Sequence, residues 1–228
     1  MKKSFYLLLI FSLLIVAFSP AQTTVMDIDG NTYKTVIIGQ QEWMAEELRT
    51  TKFTDGTPIQ EYKYYDETIW ENKEEYWNWV EESKITQQPH YRKDGQRYIY
   101  NERLKLSRQN LCPKGWRMPT KDDWNLLFEN LGGSDIAGLS LRSNTAWPEG
   151  SNGTNESGFN ATPLKIDGFS EYCPSPNVVW WATSGYHIVY LCSELGHFEE
   201  KLDIKRARIS YGADGAMFDY ACIRCIKD

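Results

Sequence analysis

Cysteine is the residue type in this chain whose chemistry depends most on its partners, and the sequence contains five. Cys222 and Cys225 are separated by two residues, a spacing typical of redox-active pairs and of half a zinc site. A structural zinc site needs four ligands, but the sequence has no second pair of this kind and only three histidines. Residues three apart on a strand point to opposite faces. We therefore predict separate disulfide partners for the two cysteines and no metal site.

A disulfide between Cys112 and Cys225 is the candidate pairing, because it would tie the entrance of a predicted helix to the end of the chain. An odd number of cysteines leaves at least one outside any set of intrachain bridges. Pairings that involve Cys173, Cys192 or Cys222 therefore remain open.

Aromatic and amide side chains form a second group with binding chemistry. Residues 139–178 are dense in Gly, Asn, Ser, Thr and Pro, and a loop this long in a compact domain is usually functional or disordered. Trp180-Trp181 on a strand would place one ring on each face, and an outward ring could stack on a sugar. Packing beneath the loop is the alternative. The candidate binding residues are Trp147, Asn152, Asn155, Asn160, Trp180, Trp181 and Tyr186.

The asparagines of this loop match three formal glycosylation sequences within residues 152–162. We interpret them as turn-forming residues instead, because Asn and Ser side chains bond to nearby backbone groups in turns.

Catalytic motifs are missing from the sequence. There is no Gly-x-Ser-x-Gly and no His-Glu-x-x-His, so we predict no catalytic residue and a protein that is not an enzyme. The sequence contains two weak indications of a calcium site. One is the alternation of Asp27, Asp29 and Asn31, and the other is the pair of carboxylates on Asp167 and Glu171. Their spacing does not fit a calcium loop, and we predict no cofactor.

Local patterns predict the elements that would position these residues. Two β-rich runs flank Asp29-Gly30-Asn31 and predict a hairpin over residues 25–39. Further on, Thr120 and Asp123 form a capping-box pattern. A helix is predicted to follow, with four apolar residues on one face and Gly132-Gly133 at its end; the four are Trp124, Leu127, Phe128 and Leu131. Three closing antiparallel strands are expected after the long loop.

The N-terminus and the charge restrict the compartment and the partners. Residues 1–21 have the basic, apolar and small-residue order of a signal peptide, with no cysteine nearby for lipid attachment. No other long apolar run follows, so we expect no transmembrane segment after cleavage and a secreted or cell-surface protein. The formal net charge of −6 disfavours nucleic acid as a partner.

Several blocks of sequence resemble a known family, the Fibrobacter succinogenes major paralogous domain of exported bacterial proteins. The blocks are DIDGNTYKTVIIGQQEWMAEEL, LCPKGWRMPTKDDWNLL, GTNESGFNATP, WWATS and the terminal IRCIKD. The resemblance covers nearly all of residues 22–228, which it implies form a single domain. Residues 60–109 depart from the family pattern in length and charge. Three cysteines, Cys173, Cys192 and Cys222, are additional to that pattern.

The order of the blocks GWRMPTKDDW and IRCIKD also resembles C-type-lectin-like folds of the formylglycine-generating-enzyme kind. That likeness implies an α+β domain with an N-terminal β-hairpin, one or two helices, a long irregular loop and closing antiparallel strands, and a lectin-like core over about 98–228. It favours an exported, non-catalytic binding domain whose ligand is a glycan or a partner protein. Two alternatives remain: an oxidoreductase that uses Cys222 or Cys225 with copper, and a structural subunit of an extracellular assembly.

Overall fold

The computed structural model describes residues 23–62, 88–107, 109–164, 177–182, 187–192, 207–211 and 220–228. The predicted signal peptide lies outside these residues, as do Asp167, Glu171, Cys173 and Tyr186. For Trp181 and Cys192 the strand is described but the side chain is not.

The described residues form an α+β fold of short strands and a few helices. The strands are β1 (Thr24–Met26), β2 (Thr32–Ile38), β3 (Gln41–Met44), β4 (Gln60–Glu61), β5 (His90–Asp94), β6 (Arg97–Asn101), β7 (Trp116–Arg117), β8 (Asn177–Trp181), β9 (His187–Cys192), β10 (Arg208–Tyr211), β11 (Tyr220–Ala221) and β12 (Ile226–Lys227). The helices are α1 (Glu102–Leu106), α2 (Lys121–Asn130) and α3 (Ser134–Leu141).

Three sheets organise the described strands. The first has the order β1-β2-β3-β12-β7 and is antiparallel throughout. The second has the order β10-β9-β8, also antiparallel, and the third has the order β11-β6-β5-β4, in which β4 and β5 run parallel. The C-terminal strand β12 thus joins the N-terminal hairpin to β7, just before α2.

The N-terminal hairpin is confirmed, and its turn explains the spacing of the acidic residues. The Asp27 carboxylate accepts from the backbone N–H of Asp29 and Asn31, from the Asn31 amide and from the Tyr33 hydroxyl. Gly30 supplies the left-handed backbone at the turn, with φ of 85°. Asp27 therefore holds the turn together, which explains why an acidic residue stands at this position.

Helix α2 begins and ends as predicted. The Thr120 side chain accepts from the Asp123 backbone N–H, and the Asp123 carboxylate accepts from the Thr120 backbone N–H, so the capping box is complete. The helix buries Trp124, Leu127 and Phe128. The following helix α3 was not predicted, and it includes residues 139–141 of the predicted loop.

The end of the chain, residues 219–228, was predicted as the last of the three closing strands, and its structure differs. Residues 220–228 contribute two short strands, β11 and β12, to two different sheets. Every residue from 221 to 226 is buried, because the segment passes between the two core clusters. Cys222 packs in one cluster, whereas Ile223 and Cys225 pack in the other. Because the segment is buried on both sides, its side chains do not alternate between buried and exposed as they would in a strand with one face in solvent.

A tryptophan cluster fills the larger core. The ring centroids of Trp43 and Trp124 are 4.7 Å apart, and those of Trp124 and Trp180 are 5.5 Å apart. Phe159 packs edge-on against all three. The core thus joins the hairpin sheet, helix α2, the long loop and the second sheet into one packed body, which sets the position of the loop.

Candidate functional site

Two of the predicted binding tryptophans are core residues. Trp147 is 4% exposed and Trp180 is 0% exposed. The indole N–H of Trp147 donates to the Ala161 carbonyl at 2.8 Å, and the Arg142 guanidinium lies 4.0 Å from the centre of its ring. Trp180 is thus the inward-facing ring of the Trp180-Trp181 pair, packed beneath the loop, and neither Trp147 nor Trp180 exposes a ring face to a ligand.

The predicted asparagines build the loop. Asn152 Oδ1 accepts from the Trp147 backbone N–H at 3.0 Å, and Asn155 Oδ1 accepts from the Asn160 backbone N–H at 2.8 Å. Asn155 and Asn160 have left-handed backbones, with φ of 54° and 55°, a conformation that Asn tolerates better than most residues. The interpretation of these residues as turn-forming is confirmed. Asn160 is also exposed.

A pocket of about 270 Å³ lies where the loop meets two sheets. Three segments line it: the residues after β3, the turn between β5 and β6, and the loop at 160–162. The lining residues are Ala45, Glu46, Glu47, Arg49, Gln96, Arg97, Asn160 and Thr162. Seven of these eight have polar side chains, so the pocket is suited to a polar ligand. Of the predicted binding residues, the structure brings Asn160 to this pocket.

Glu47 brings one partner of a buried ion pair to the pocket wall. The Glu47 side chain is 10% exposed and the Arg224 side chain is 0% exposed. Glu47 Oε1 accepts from Arg224 Nη2 at 2.7 Å and from Nε at 3.1 Å. Burial by itself would raise the pKa of Glu47, but the charges of Arg224 and Arg97 outweigh it and hold the pKa below its ordinary value. The pocket therefore contains a carboxylate that stays ionised at neutral pH.

Two arginines fix the loop segment that lines the pocket. Arg97 Nη1 donates to the carbonyls of Thr162 and Pro163, and Nη2 donates to Thr162 Oγ1. Arg224 donates to the carbonyls of Phe159 and Asn160. The Arg224 guanidinium also lies 4.2 Å from the centre of the Phe159 ring. Backbone carbonyls bound in this way give the loop a defined position although it has little regular secondary structure.

The sequence pattern missed the charged residues of this pocket. Glu47, Arg97 and Arg224 are far apart along the chain and belong to no spacing motif. Arg224 does lie inside the terminal IRCIKD block, and a charged residue among buried ones was the available signal. The charge on Arg224 had no visible partner until the fold brought Glu47 beside it.

The predicted disulfide between Cys112 and Cys225 is present, with 5.8 Å between the Cα atoms. Cys222 takes no part in that bond, and its thiol is buried in the larger core cluster. Cys225 is therefore bridged and Cys222 is buried, so neither of the two cysteines named for the oxidoreductase alternative presents an exposed thiol here. Among the described residues, no group of three or more His, Cys, Asp or Glu side chains could hold a metal ion.

Comparison with known proteins identifies the family of the chain. No curated protein and no solved structure matches the chain. Within the described residues, no helix has the length and apolar character that a membrane crossing requires. A family model described as the Fibrobacter succinogenes major domain matches residues 36–227, from strand β2 to the last residue of β12. The chain therefore belongs to the Fibrobacter succinogenes major domain family.

Proposed function

We propose that the protein is an exported, non-catalytic binding domain and that the pocket beside Glu47 and Arg224 binds a carbohydrate. The observation that carries the proposal is the Glu47 carboxylate, which is nine-tenths buried, ionised and part of the pocket lining. Keeping a charge in so dry a position is costly. A ligand that donates hydrogen bonds to the Glu47 carboxylate explains why the charge is kept at this buried position.

The lining has the chemistry that sugar hydroxyls require. Each hydroxyl both donates and accepts, and the pocket offers a carboxylate acceptor together with amide groups that do both. Its volume of about 270 Å³ is just below the ~300–1,000 Å³ of most small-molecule sites. That size matches one sugar ring or one short side chain of a partner protein, and the density of polar groups favours the sugar.

The pKa of Glu47 supports binding rather than catalysis. A carboxyl that acts as general acid near neutral pH needs a raised pKa. Arg224 and Arg97 shift the pKa of Glu47 in the opposite direction despite its burial. Glu47 is therefore suited to accept hydrogen bonds and unsuited to donate a proton to a leaving group.

A C-type-lectin-like topology is part of this proposal. Its supports are the entrance to α2, the long loop at 142–164, the closing strands and the disulfide that joins Cys112 to the C-terminal segment. In such an arrangement the loop carries the ligand contacts while the paired termini hold the scaffold. The pocket lies at the loop, as this assignment requires.

A glycan array with the protein purified after export tests the function. We expect binding to a subset of glycans, reduced at least fivefold by Gln96→Ala and by Asn160→Gly. Glycine tolerates the left-handed backbone of Asn160, so that variant removes the amide with little strain. The matched control is Gln109→Ala, because Gln109 is an exposed amide outside the pocket lining.

Failure would take two forms. If no glycan binds, or if the control and pocket variants bind equally well, the pocket is not a carbohydrate site. Capture of one specific surface protein that the same variants abolish would replace the carbohydrate by a protein ligand. Export is tested separately by N-terminal sequencing of the secreted protein, which we expect to begin at Gln22.

A further inference from the structure

We infer that the pocket selects a neutral sugar, through two adjacent hydroxyl groups, over a sugar that carries an acidic group. This inference rests on the proposed carbohydrate-binding function and narrows its ligand class. It follows from sorting the charged and polar groups of the pocket into those already used by the fold and those left for a ligand.

The guanidinium groups are used by the fold. Arg97 donates to two backbone carbonyls and one hydroxyl of the 162–163 segment. Arg49 Nη1 donates to Glu46 Oε2 at 3.2 Å, and its Nη2 donates to the Thr32 carbonyl at 3.3 Å. An anionic ligand would have to take these donors from their present acceptors. The positive residues of the lining therefore do not form a ready carboxylate site.

The carboxylate of Glu47 keeps one oxygen for a ligand. Both Arg224 contacts go to Oε1. The backbone N–H of Glu47 also donates to its own carboxylate, and no side chain in the described part of the chain donates to Oε2. An ionised oxygen with free lone pairs needs a donor, which a hydroxyl supplies and an acid group does not. A carboxylate on the ligand, in a pocket of about 270 Å³, would instead meet the like charges of Glu46 and Glu47 in partly desolvated surroundings, which disfavours the charges on both sides.

The two exposed amides complete the recognition pattern. Gln96 and Asn160 line the pocket together with Glu47, and each amide provides donors as well as an acceptor. One hydroxyl of an adjacent pair can donate to Glu47 Oε2 while the neighbouring hydroxyl accepts from an amide N–H. The two carboxylates of the lining, on Glu46 and Glu47, are balanced by the two guanidinium groups of Arg49 and Arg97, so the lining has no net formal charge for an ionic ligand to neutralise. The combination selects uncharged, polyhydroxylated groups.

Titration with small sugars tests the inference directly. The protein purified after export is titrated with glucose, galactose, mannose and glucuronate, and the side-chain amide signals of Gln96 and Asn160 are followed by NMR. We expect at least one neutral sugar to shift both amides, and glucuronate to bind at least ~10-fold more weakly because its carboxylate meets the like charges of Glu46 and Glu47. Neutral-sugar affinity should not change between low and high salt, since no ion pair forms with the ligand.

The variants separate the two levels of the proposal. Gln96→Ala and Asn160→Gly should each weaken neutral-sugar binding about fivefold, the worth of roughly one hydrogen bond, while Gln109→Ala leaves it unchanged. If glucuronate binds as tightly as the neutral sugars or more tightly, and the pocket variants weaken its binding, the inference is wrong but the carbohydrate site stands. Absence of any shift, or shifts that the pocket variants leave intact, overturns the proposed function and the inference together.

Discussion

Glu47 and Arg224 are 177 positions apart in the sequence, yet Oε1 of Glu47 accepts two hydrogen bonds from the guanidinium of Arg224. One partner follows strand β3 near the N-terminus, and the other lies just before the C-terminal strand β12. The same guanidinium binds two carbonyls of the long loop. A single buried ion pair thus joins both ends of the domain to the segment that lines the pocket.

Removing the charge of Glu47 should be costly. We expect Glu47→Gln to lower the free energy of unfolding by about 3–5 kcal/mol, because it leaves the Arg224 charge buried without a counter-charge. The control is Glu46→Gln, since Glu46 and Arg49 form an ion pair in which each side chain is about a third exposed. That change should cost less than about 1 kcal/mol. Urea unfolding at pH 7 measures both, and equal losses would contradict the assignment.

The stabilisation from Asp29 should disappear in acid. Burial alone would raise the pKa of Asp29, but hydrogen bonds from Thr51 and Lys52 lower it from 3.8 to about 2. The folded state therefore binds the proton less readily than the unfolded chain. Its contribution, on the order of 2 kcal/mol, is complete above pH 3.8 and is lost as the pH falls towards 2.

Denaturant unfolding of Asp29→Asn and the wild type across pH 2–7 checks this sign. We expect Asp29→Asn to be less stable at pH 7 and the two proteins to converge near pH 2. If the difference in unfolding free energy between the two proteins grows as the pH falls, the pKa of Asp29 is not lowered in the folded state.

The disulfide should account for a large part of the stability. Cys112 and Cys225 enclose a sequence separation of 113 residues, and a loop of that length predicts a loss of about 3–5 kcal/mol when the bond is removed. The variant with both cysteines replaced by alanine should therefore melt well below the wild type. Reducing agent should lower the melting temperature of the wild type and leave that of the double variant unchanged. Similar melting of the two oxidised proteins would mean that the bond contributes little.

Tryptophan and asparagine substitutions should have different consequences. Trp147→Ala and Trp180→Ala should each cost about 3–5 kcal/mol of unfolding free energy, because they leave cavities in the core. The Asn160→Gly protein should keep the fold but bind the ligand more weakly. Unfolding curves and binding titrations on the same samples separate the two effects. If the Trp147→Ala protein has wild-type stability but no longer binds the ligand, Trp147 is a binding residue and not only a core residue.

The sequence by itself determined the local features and the family. The hairpin turn around Gly30, the capping box of Thr120 and Asp123, and the glycine end of α2 depend on residues within a few positions of one another. Such contacts are encoded in spacing, so spacing predicts them. The bridge from Cys112 to Cys225 was one pairing among several, and the fold selected it.

Only the tertiary structure decided which residues surround the pocket. Periodicity assigns a residue to a face of its own strand or loop, but it does not say what covers that face. Trp124 of helix α2 and Phe159 of the loop pack against Trp180, whereas Asn160 is exposed in the pocket lining that also contains Glu47. The partner of Arg224 likewise depends on a contact across 177 positions. Long-range packing therefore buried Trp147 and Trp180 and brought charged and amide residues together around the pocket, since burial is a property of the assembled fold.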